Sequence, residues 1–433
     1  MKAVIFAAGH GVRLRPLTNT IPKPLIKVLG EPVLIRLISS LTDFGIESFV
    51  VITHYHEDTI ISEISQKFPS LDITFIHQPE TKGTANALLL AKDQITEDFF
   101  IAVNGDCIFS PSLIQQTVDA ARRGVITLGG KLVKDTENFG IIIVDDNNNP
   151  QKIVEKPEKG LIPEGYANIG IYSLSSTIID ILEDMETKEN FSPRGEYEIP
   201  DAINRLLEKG QFESVLIKLS NNDYWFDIGR PWSLLEANET VLATISEVRE
   251  GTVQDGAHLN GKVIIMKNAI IRSGSYIEGP VFIDENADIG PNCYIRSGTY
   301  IGKRSRIGNA CEVKNSIIEE NTHIAHLSYI GDSIIGPDVN FGAGTITANL
   351  RLDDKTIPVS VKAIKEDSGR RKLGLICGAR VKTGIGVLFM PGVKVGNDTW
   401  IGAGTNVHED IPAESIYYSR DNGILKRKRK DVG

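Results

Sequence analysis

"IRSGSYIEGPVFIDENADIGPNCYIRSGTYIGKRSRIGNACEV", residues 271–313, returns to an apolar residue every sixth position. Ile271, Ile277, Ile283, Ile289, Ile295, Ile301, Ile307 and Val313 hold that position, and glycine, asparagine and serine recur between them. The ladder continues at Ile318, Ile324, Ile330, Ile335 and Phe341, with intervals of five only at Val313 to Ile318 and Ile330 to Ile335. A six-residue unit with one inward apolar side chain cannot bury its own face, so such units must stack into a solenoid. Three sides of six residues make a triangular coil of eighteen. Each buried Ile or Val contributes roughly 1.5–3 kcal/mol, so a ladder of this length supplies a core. Cys293 and Cys311 fall at equivalent positions of adjacent coils, about 4.8 Å apart by strand spacing. That is within disulfide reach, and the expectation is a pair of stacked, reduced thiols.

Outward from the ladder the pattern changes on both sides. Residues 350–378, "LRLDDKTIPVSVKAIKEDSGRRKLGLICG", are charged and glycine-containing and read as a projecting loop, after which the repeat resumes at Val381, Val387 and Val393. On the N-terminal side, "WSLLEANETVLATISEV", residues 232–248, has helical apolar spacing. Before it, "AVIFAAG", "SFVVIT", "DITFIHQ", "FFIAVNGD" and "VITLGG" are β-rich runs separated by helical stretches, the alternation of an α/β domain with a mainly parallel sheet. The expected organisation is an α/β domain over 1–231, a helical connector over 232–250, the solenoid over 251–425 and a basic tail over 426–433.

The 433 residues exceed one ordinary core, in keeping with two domains. A net charge of -9 opposes a general polyanion-binding surface, so a phosphate ligand must be held by a local basic cluster and no nucleic-acid partner is expected. Four cysteines form no CxxC pair, which points away from a zinc site or a disulfide framework. The first apolar run is too short for a signal-peptide core and no 20-residue apolar span follows, so a cytoplasmic protein without a membrane partner is expected.

"AAGHGVRLRPLTNTIPKPL", residues 7–25, follows the first strand. Gly9 and Gly11 let backbone amides approach a phosphate, and Arg13, Arg15 and Lys23 supply charge. Leu14 stands where a dinucleotide fingerprint needs its third glycine, and the Walker A ending is missing. The stretch resembles the signature of the sugar-1-phosphate nucleotidylyltransferases, an α/β family with a Rossmann-like fold, and further matches follow in family order. The resemblance implies that Gln78, Gly83 and Thr84 of "QPETKGTANAL" bind the nucleotide base, and that Asp106 of "NGD" and Asp227 of "WFDIGRP" hold Mg²⁺. It implies a sugar-phosphate pocket of Gly140, Glu155, Lys156, Asn168 and Glu196, with Arg13 and Lys23 as the catalytic charge clamp. The sugar phosphate oxygen then attacks the nucleotide α-phosphorus in line as pyrophosphate departs, which needs cations and positioning rather than a side-chain nucleophile. Taken singly, each residue reads equally well as a turn glycine, a surface lysine or a strand-end aspartate; their joint occurrence in order carries the resemblance.

The repeat region resembles the hexapeptide-repeat left-handed parallel β-helix family, and the hand is implied by that resemblance alone. Within it, "HLSYIGDSIIGPDVNFGAGTITAN", residues 326–349, is similar to the acetyltransferase domain of bifunctional N-acetylglucosamine-1-phosphate uridylyltransferase/glucosamine-1-phosphate N-acetyltransferases. On that resemblance His326 is the general base toward the sugar amine, a task suited to imidazole, whose ordinary pKa lies near 6.5. Arg296, Lys314, Tyr329, Asn340, Asn349 and Lys355 bind the acetyl acceptor, Ala343 lies near acetyl-CoA, and neighbouring subunits of a homotrimer complete each site. His258, His323 and His408 read as surface residues, "THYHED" with His54 and His56 as a loop at a strand end, and "KRKRK", 426–430, as a solvated basic tail.

"GVRLRPLTNTIPKPL" and "WFDIG" look closer to glucose-1-phosphate thymidylyltransferases and to archaeal-type bifunctional enzymes. The nucleotide is therefore UTP or dTTP. The first expectation for the sugar is N-acetylglucosamine 1-phosphate and the next is glucose 1-phosphate, with glucosamine or galactosamine 1-phosphate as acetyl acceptor. The alternatives are a single-activity thymidylyltransferase or uridylyltransferase whose β-helix only trimerises or regulates, and a non-catalytic scaffold of similar build.

Overall fold

Alternate residues of the buried strands go to opposite sides of one sheet, which is why those strands read as unbroken apolar runs. The computed structural model describes residues 1–80, 82–188, 197–420 and 423–428. It divides into two compact units, one of residues 1–10, 22–25 and 32–227, the other of residues 11–21, 26–31 and 228–433.

In the first unit the strand Lys2–Phe6 lies between Ser48–Thr53 and Phe99–Asn104, parallel to both, and Asp72–His77 extends the parallel set. Gly165–Ser175 then runs antiparallel to Phe99–Asn104, with Gly140–Val144 paired to its first residues and Ile126–Val133 along its opposite edge. Val4, Val50, Phe100 and Ala102 face a core shared with the helices Thr84–Leu90, Thr177–Thr187 and Ile199–Glu208. Ala3, Ile5, Val51, Ile101 and Val103 face a second core under Val33–Asp43 and Pro111–Arg122. The loops at the C-terminal ends of the parallel strands begin at Ala7, Gln78 and Gly105, where open α/β sheets place their ligands. Among the described residues no helix is long and apolar enough to cross a membrane.

In the second unit, three sheets of ten, eight and seven strands form the faces of a parallel β-helix. The expected ladder is its core: every residue from Ile271 to Phe341 named above is at most 2% exposed. Corners between strands place non-glycine residues in the left-handed region, as at Asn286 (φ 59°) and Asn292 (φ 54°). Asparagine tolerates that conformation better than most side chains, which explains its recurrence in the repeat. The two five-residue intervals fall at corners holding Asn315 and Asp332, and the neighbouring strands stay in register, Val313 beside Ile330 and Ile318 beside Ile335. Cys293 and Cys311 are buried free thiols, each with its sulfur against backbone carbonyls.

Beyond Phe341 the row differs from the expected one. Val381 neighbours Val339, and Phe389 and Val395 pair with Thr347 and Cys377. Val381, Val387 and Val393 are buried, but they continue the second inward row to which Ala287, Cys293 and Cys311 belong. The insertion keeps the six-residue phase, since Ile335 neighbours Cys377 and Thr347 neighbours Phe389, each 42 residues on; Val381, Val387 and Val393 lie two places before the row that continues Phe341. The insertion's projecting part contains the hairpin Pro358–Val361 with Ile364–Asp367, and residues 376–377 are already a β-helix strand. Arg230 Nε donates to Glu366 at 2.6 Å and Arg370 to Glu239 at 3.1 Å, tying the insertion to the helix Pro231–Thr244.

Candidate functional site

A cavity of about 410 Å³ opens at the C-terminal ends of the parallel strands of the first unit. Gly9, Gln78, Gly83, Thr84 and Asp106 line it, together with His10, Asn104 and Glu198, which the motifs did not single out. Gly83 has φ 108°, and a Cβ there would overlap the Tyr197 carbonyl, so only glycine fits this crossing. Thr84 Oγ1 accepts the Ile199 N–H at 3.1 Å. Gln78 is 2% exposed, and its Nε2 donates to the Gly83 carbonyl at 3.2 Å and to Asn86 Oδ1 at 3.0 Å. Its own carbonyl accepts from His54 Nδ1 at 2.8 Å, so His54 anchors the site's wall, a role the loop reading of "THYHED" had not anticipated.

Below the cavity, Lys23 Nζ lies 2.5 Å from Asp106 and 2.9 Å from Asp227. Burial alone would lower the Lys23 pKa, but the two carboxylates outweigh it and hold the ammonium well above its ordinary value. One ligand atom each from Asp106, Cys107 and Asp227 lies within 4.8 Å of the others. Burial and the adjacent carboxylates push the Cys107 thiol up, so it stays protonated and the oxygen donors are the two aspartates. That set suits a hard divalent cation such as Mg²⁺, and the position accepts positive charge, since the lysine ammonium already bridges both carboxylates.

The sugar-phosphate candidates cluster on the antiparallel part of the sheet. Gly140 pairs with Glu155, and a Cβ on Gly140 would overlap the Glu155 carboxylate. Lys156 follows at φ 43° and is exposed. Asn168 Nδ2 donates to Tyr172 Oη at 2.8 Å, and its Oδ1 accepts the Gly170 N–H at 3.3 Å. Glu196 lies outside the described residues. Gly11, Arg13 and Arg15 belong to residues 11–21, grouped with the second unit, where Gly11 (φ 61°) opens the 3-10 turn Val12–Leu14.

On the β-helix, Arg296, Lys314 and Gly331 stand in one column of successive coils. Asp332, buried beside this column, accepts from Lys314 Nζ at 3.2 Å, Asn315 Nδ2 at 2.9 Å and Asn349 Nδ2 at 2.5 Å. Asn349 also donates to Tyr329 Oη at 3.2 Å, and Arg296 pairs with Glu312 at 3.0 Å. Burial and the Asp332 charge hold the Tyr329 phenol above its ordinary pKa. His326 sits at the adjoining corner, exposed, and its carbonyl accepts the Gly344 N–H at 3.2 Å, which places the Ala343–Gly344 peptide one coil along. Asn340 pairs with His323, three positions along the strand from His326, on the face next to Tyr329's. Lys355 is exposed in the insertion. One chain therefore gathers Arg296, Lys314, Tyr329 and Asn349 on one face and His326, Ala343 and Asn340 on the next.

Residues 2–244 match the nucleotidyl transferase family and residues 277–384 match the GMPPB C-terminal domain. Bifunctional protein GlmU of Methanocaldococcus jannaschii is 42% identical over 427 residues, 99% of this chain and 100% of that one. The chain belongs to the bifunctional GlmU family. Another relative, the bifunctional sugar-1-phosphate nucleotidylyltransferase/acetyltransferase of Sulfurisphaera tokodaii, is 40% identical over 419 residues, 95% of this chain and 98% of that protein. A Bacillus anthracis crystal structure assigned as a glucose-1-phosphate thymidylyltransferase, 28% identical, superposes with a TM-score of 0.50 over 57% of this chain and 98% of that one. As a GlmU-family chain it is a nucleotidyltransferase and an acetyltransferase. The residues that sequence reading missed, His10, Asn86, Asn104, Glu198 and Asp332, carry no motif signal of their own. Only "GD" after "YI", repeating the strand-end carboxylate of "NGD", hinted at Asp332.

Proposed function

We propose that the chain performs two consecutive steps of UDP-N-acetylhexosamine synthesis: N-acetylation of glucosamine 1-phosphate or galactosamine 1-phosphate by acetyl-CoA, then transfer of a uridylyl group from UTP to the acetylated sugar 1-phosphate. Nucleotidyl transfer is assigned to residues 1–231 and acetyl transfer to the β-helix, residues 251–425. The observation that carries the reading is the convergence of Lys23, Asp106 and Asp227 at a cavity walled by Gly9, Gln78 and Gly83. Mg²⁺ held by Asp106 and Asp227 would neutralise charge on the departing pyrophosphate. Lys23 and Arg13 add fixed positive charge, the glycine loop brings backbone amides to the phosphates, and Gly140, Glu155, Lys156, Asn168 and Glu196 orient the sugar phosphate.

In the β-helix, His326 takes a proton from the sugar amine as the amine attacks the thioester carbonyl, and CoA leaves as the thiol. Arg296 and Lys314 hold the sugar phosphate, displacing contacts they now make with Glu312 and Asp332. Tyr329, Asn340, Asn349 and Lys355 hold the amino sugar, and Ala343 borders acetyl-CoA. Because His326 and the Tyr329 group lie on adjoining faces, a neighbouring β-helix completes the site, and the assembly is a homotrimer. Exposed Leu327 (63%), Ile385 (65%) and Trp400 (39%) on the β-helix support a covered surface.

The test uses the wild-type chain. Thiol release from acetyl-CoA is expected with glucosamine or galactosamine 1-phosphate, and pyrophosphate release with UTP plus N-acetylglucosamine 1-phosphate and Mg²⁺. Thiol release with neither acceptor would sink the acetyl-acceptor assignment, and the lack of pyrophosphate with any sugar 1-phosphate would sink the other half. Gly83→Ala is expected to raise the nucleotide KM at least about tenfold, because the strained φ and the Tyr197 carbonyl force the loop away from the base. Steady-state pyrophosphate assays check this, and an unchanged KM would remove the loop from the nucleotide site.

A further inference from the structure

Lys362 and Ala363 turn a two-residue hairpin with both residues in the left-handed region, at φ 49° and 64°. Turns of that shape ordinarily take Asn-Gly, because most side chains are strained there. The hairpin belongs to the insertion at residues 350–378, for which neither transfer reaction has a use beyond Lys355. It is a fixed element: Ile357, Val359 and Val361 are at most 1% exposed, Thr356 Oγ1 donates to Asp367 Oδ2 at 2.8 Å, and Arg230 holds Glu366. A strained, charged tip on a fixed element marks a place where position matters more than the stability of the turn.

The tip faces a cavity of about 410 Å³ within the second unit, as large as the nucleotide cavity of the first. Three cations from separate parts of the chain line it: Lys362 at the tip, Arg15 after the turn Val12–Leu14, and Lys394 on the β-helix strand Lys394–Val395. Among the described residues none of these three side chains has a hydrogen-bond or ion-pair partner, whereas Arg272, Arg296, Arg306, Arg370 and Arg380 of the same unit each meet a carboxylate. Lys394 is half-buried, and burial, with the charge of Lys365, holds its ammonium below its ordinary pKa although Asp410 and Glu366 favour the charged form. A half-buried ammonium without a bonded counter-charge is costly until an anion reaches it. Asp410, the carboxylate on the cavity wall, already accepts the Lys394 backbone N–H at 2.9 Å through one oxygen. Its other oxygen and the Ser360 hydroxyl suit hydroxyl groups of a ligand, and Ile411 and Pro412 supply apolar surface.

We infer that this cavity binds a small phosphate ester carrying hydroxyl groups, with Arg15, Lys362 and Lys394 supplying charge to the phosphate and Asp410 and Ser360 taking the hydroxyls, and that the insertion serves to carry Lys362 to it. The cavity shares no lining residue with the nucleotide cavity or with the acetyl-acceptor group around Tyr329, so the inference rests on neither catalytic reading.

The experiment is calorimetric titration of the full-length wild type, Lys394→Gln and Lys362→Asn with ribose 5-phosphate, ribose and inorganic phosphate. The wild type is expected to bind ribose 5-phosphate, to bind inorganic phosphate at least about tenfold more weakly, and not to bind ribose. Lys394→Gln removes one charge-assisted hydrogen bond to the phosphate and should weaken binding of the ester at least about tenfold. Lys362→Asn should weaken it comparably and also raise the thermal midpoint, because asparagine accepts the left-handed region that strains lysine. A higher midpoint with unchanged affinity would mean that Lys362 serves no ligand, and it overturns the inference. So does the absence of binding, and so does an affinity equal in the wild type and both variants, which places the ligand in another site. Equal affinities for inorganic phosphate and ribose 5-phosphate overturn the assignment of Asp410 and Ser360 to ligand hydroxyls. If Lys394→Gln fails to fold, Lys362→Asn decides alone, since that side chain is exposed at the hairpin tip.

Discussion

His326→Ala is expected to lower acceptor-dependent thiol release from acetyl-CoA by about 10²–10⁴-fold, the usual contribution of a positioned general base, while pyrophosphate release stays at the wild-type rate. The structure makes this a clean substitution. The imidazole is exposed and forms no hydrogen bond with any described residue, whereas the residue's structural contacts go through its backbone carbonyl to the Gly344 N–H and the Ser328 hydroxyl. Alanine keeps both. The neighbouring ladder residues Ile324 and Ile330 are fully buried and independent of the ring. A fall in thiol release with an unaltered melting profile therefore reports chemistry at the amine. Unchanged release would remove His326 as the base, and Tyr329 on the adjoining face, its phenol held above its ordinary pKa, would be a poor replacement.

What could be read in advance followed from how much each feature constrains the sequence. The β-helix demands an apolar residue at every sixth place and tolerant residues at its corners, so the ladder from Ile271 to Phe341 was legible residue by residue, even through the two shortened corners. After the insertion Val381, Val387 and Val393 repeat every sixth place in a second inward row, while the row that continues Phe341 opens on the polar Thr383, so apolarity pointed to the wrong row. The nucleotide cavity was legible where the backbone itself is constrained, as at Gly83 against Tyr197, and where charge must gather, as at Lys23, Asp106 and Asp227. Asn86 and Asp332 were not, because each works by completing the hydrogen bonds of another side chain. Such a partner need only be an acceptor at the right distance, and many residue types at many positions satisfy that until the fold fixes the distance.

Asp106→Asn tests the other half of the chain with the smallest change that removes a charge. The expected result is loss of nucleotidyl transfer by at least about 10³-fold, as when a metal ligand or main electrostatic stabiliser of a transition state is removed, with acetyl transfer untouched. Two consequences act together. An amide is a poor ligand for a hard divalent cation, so the Mg²⁺ concentration needed for half-maximal pyrophosphate release should rise. Lys23, whose side chain is 7% exposed, would also keep only Asp227, at 2.9 Å, as a carboxylate partner. The amide oxygen can still accept from Lys23, but the bond loses its anionic partner, and a hydrogen bond to a charged group is worth about 1.5–3 kcal/mol, so this unit should lose part of that stability and its thermal midpoint should fall. The ammonium then turns wholly to the remaining carboxylate and competes with the metal for it, and the two effects separate by titration: if added Mg²⁺ restores turnover, the lost ligand was the cause, whereas a turnover deficit that persists at saturating Mg²⁺ assigns the larger share to the displaced Lys23. A variant that retained wild-type pyrophosphate release at low Mg²⁺ would show that Asp106 neither binds the metal nor places the lysine, and the charge clamp at this cavity would have to be sought elsewhere.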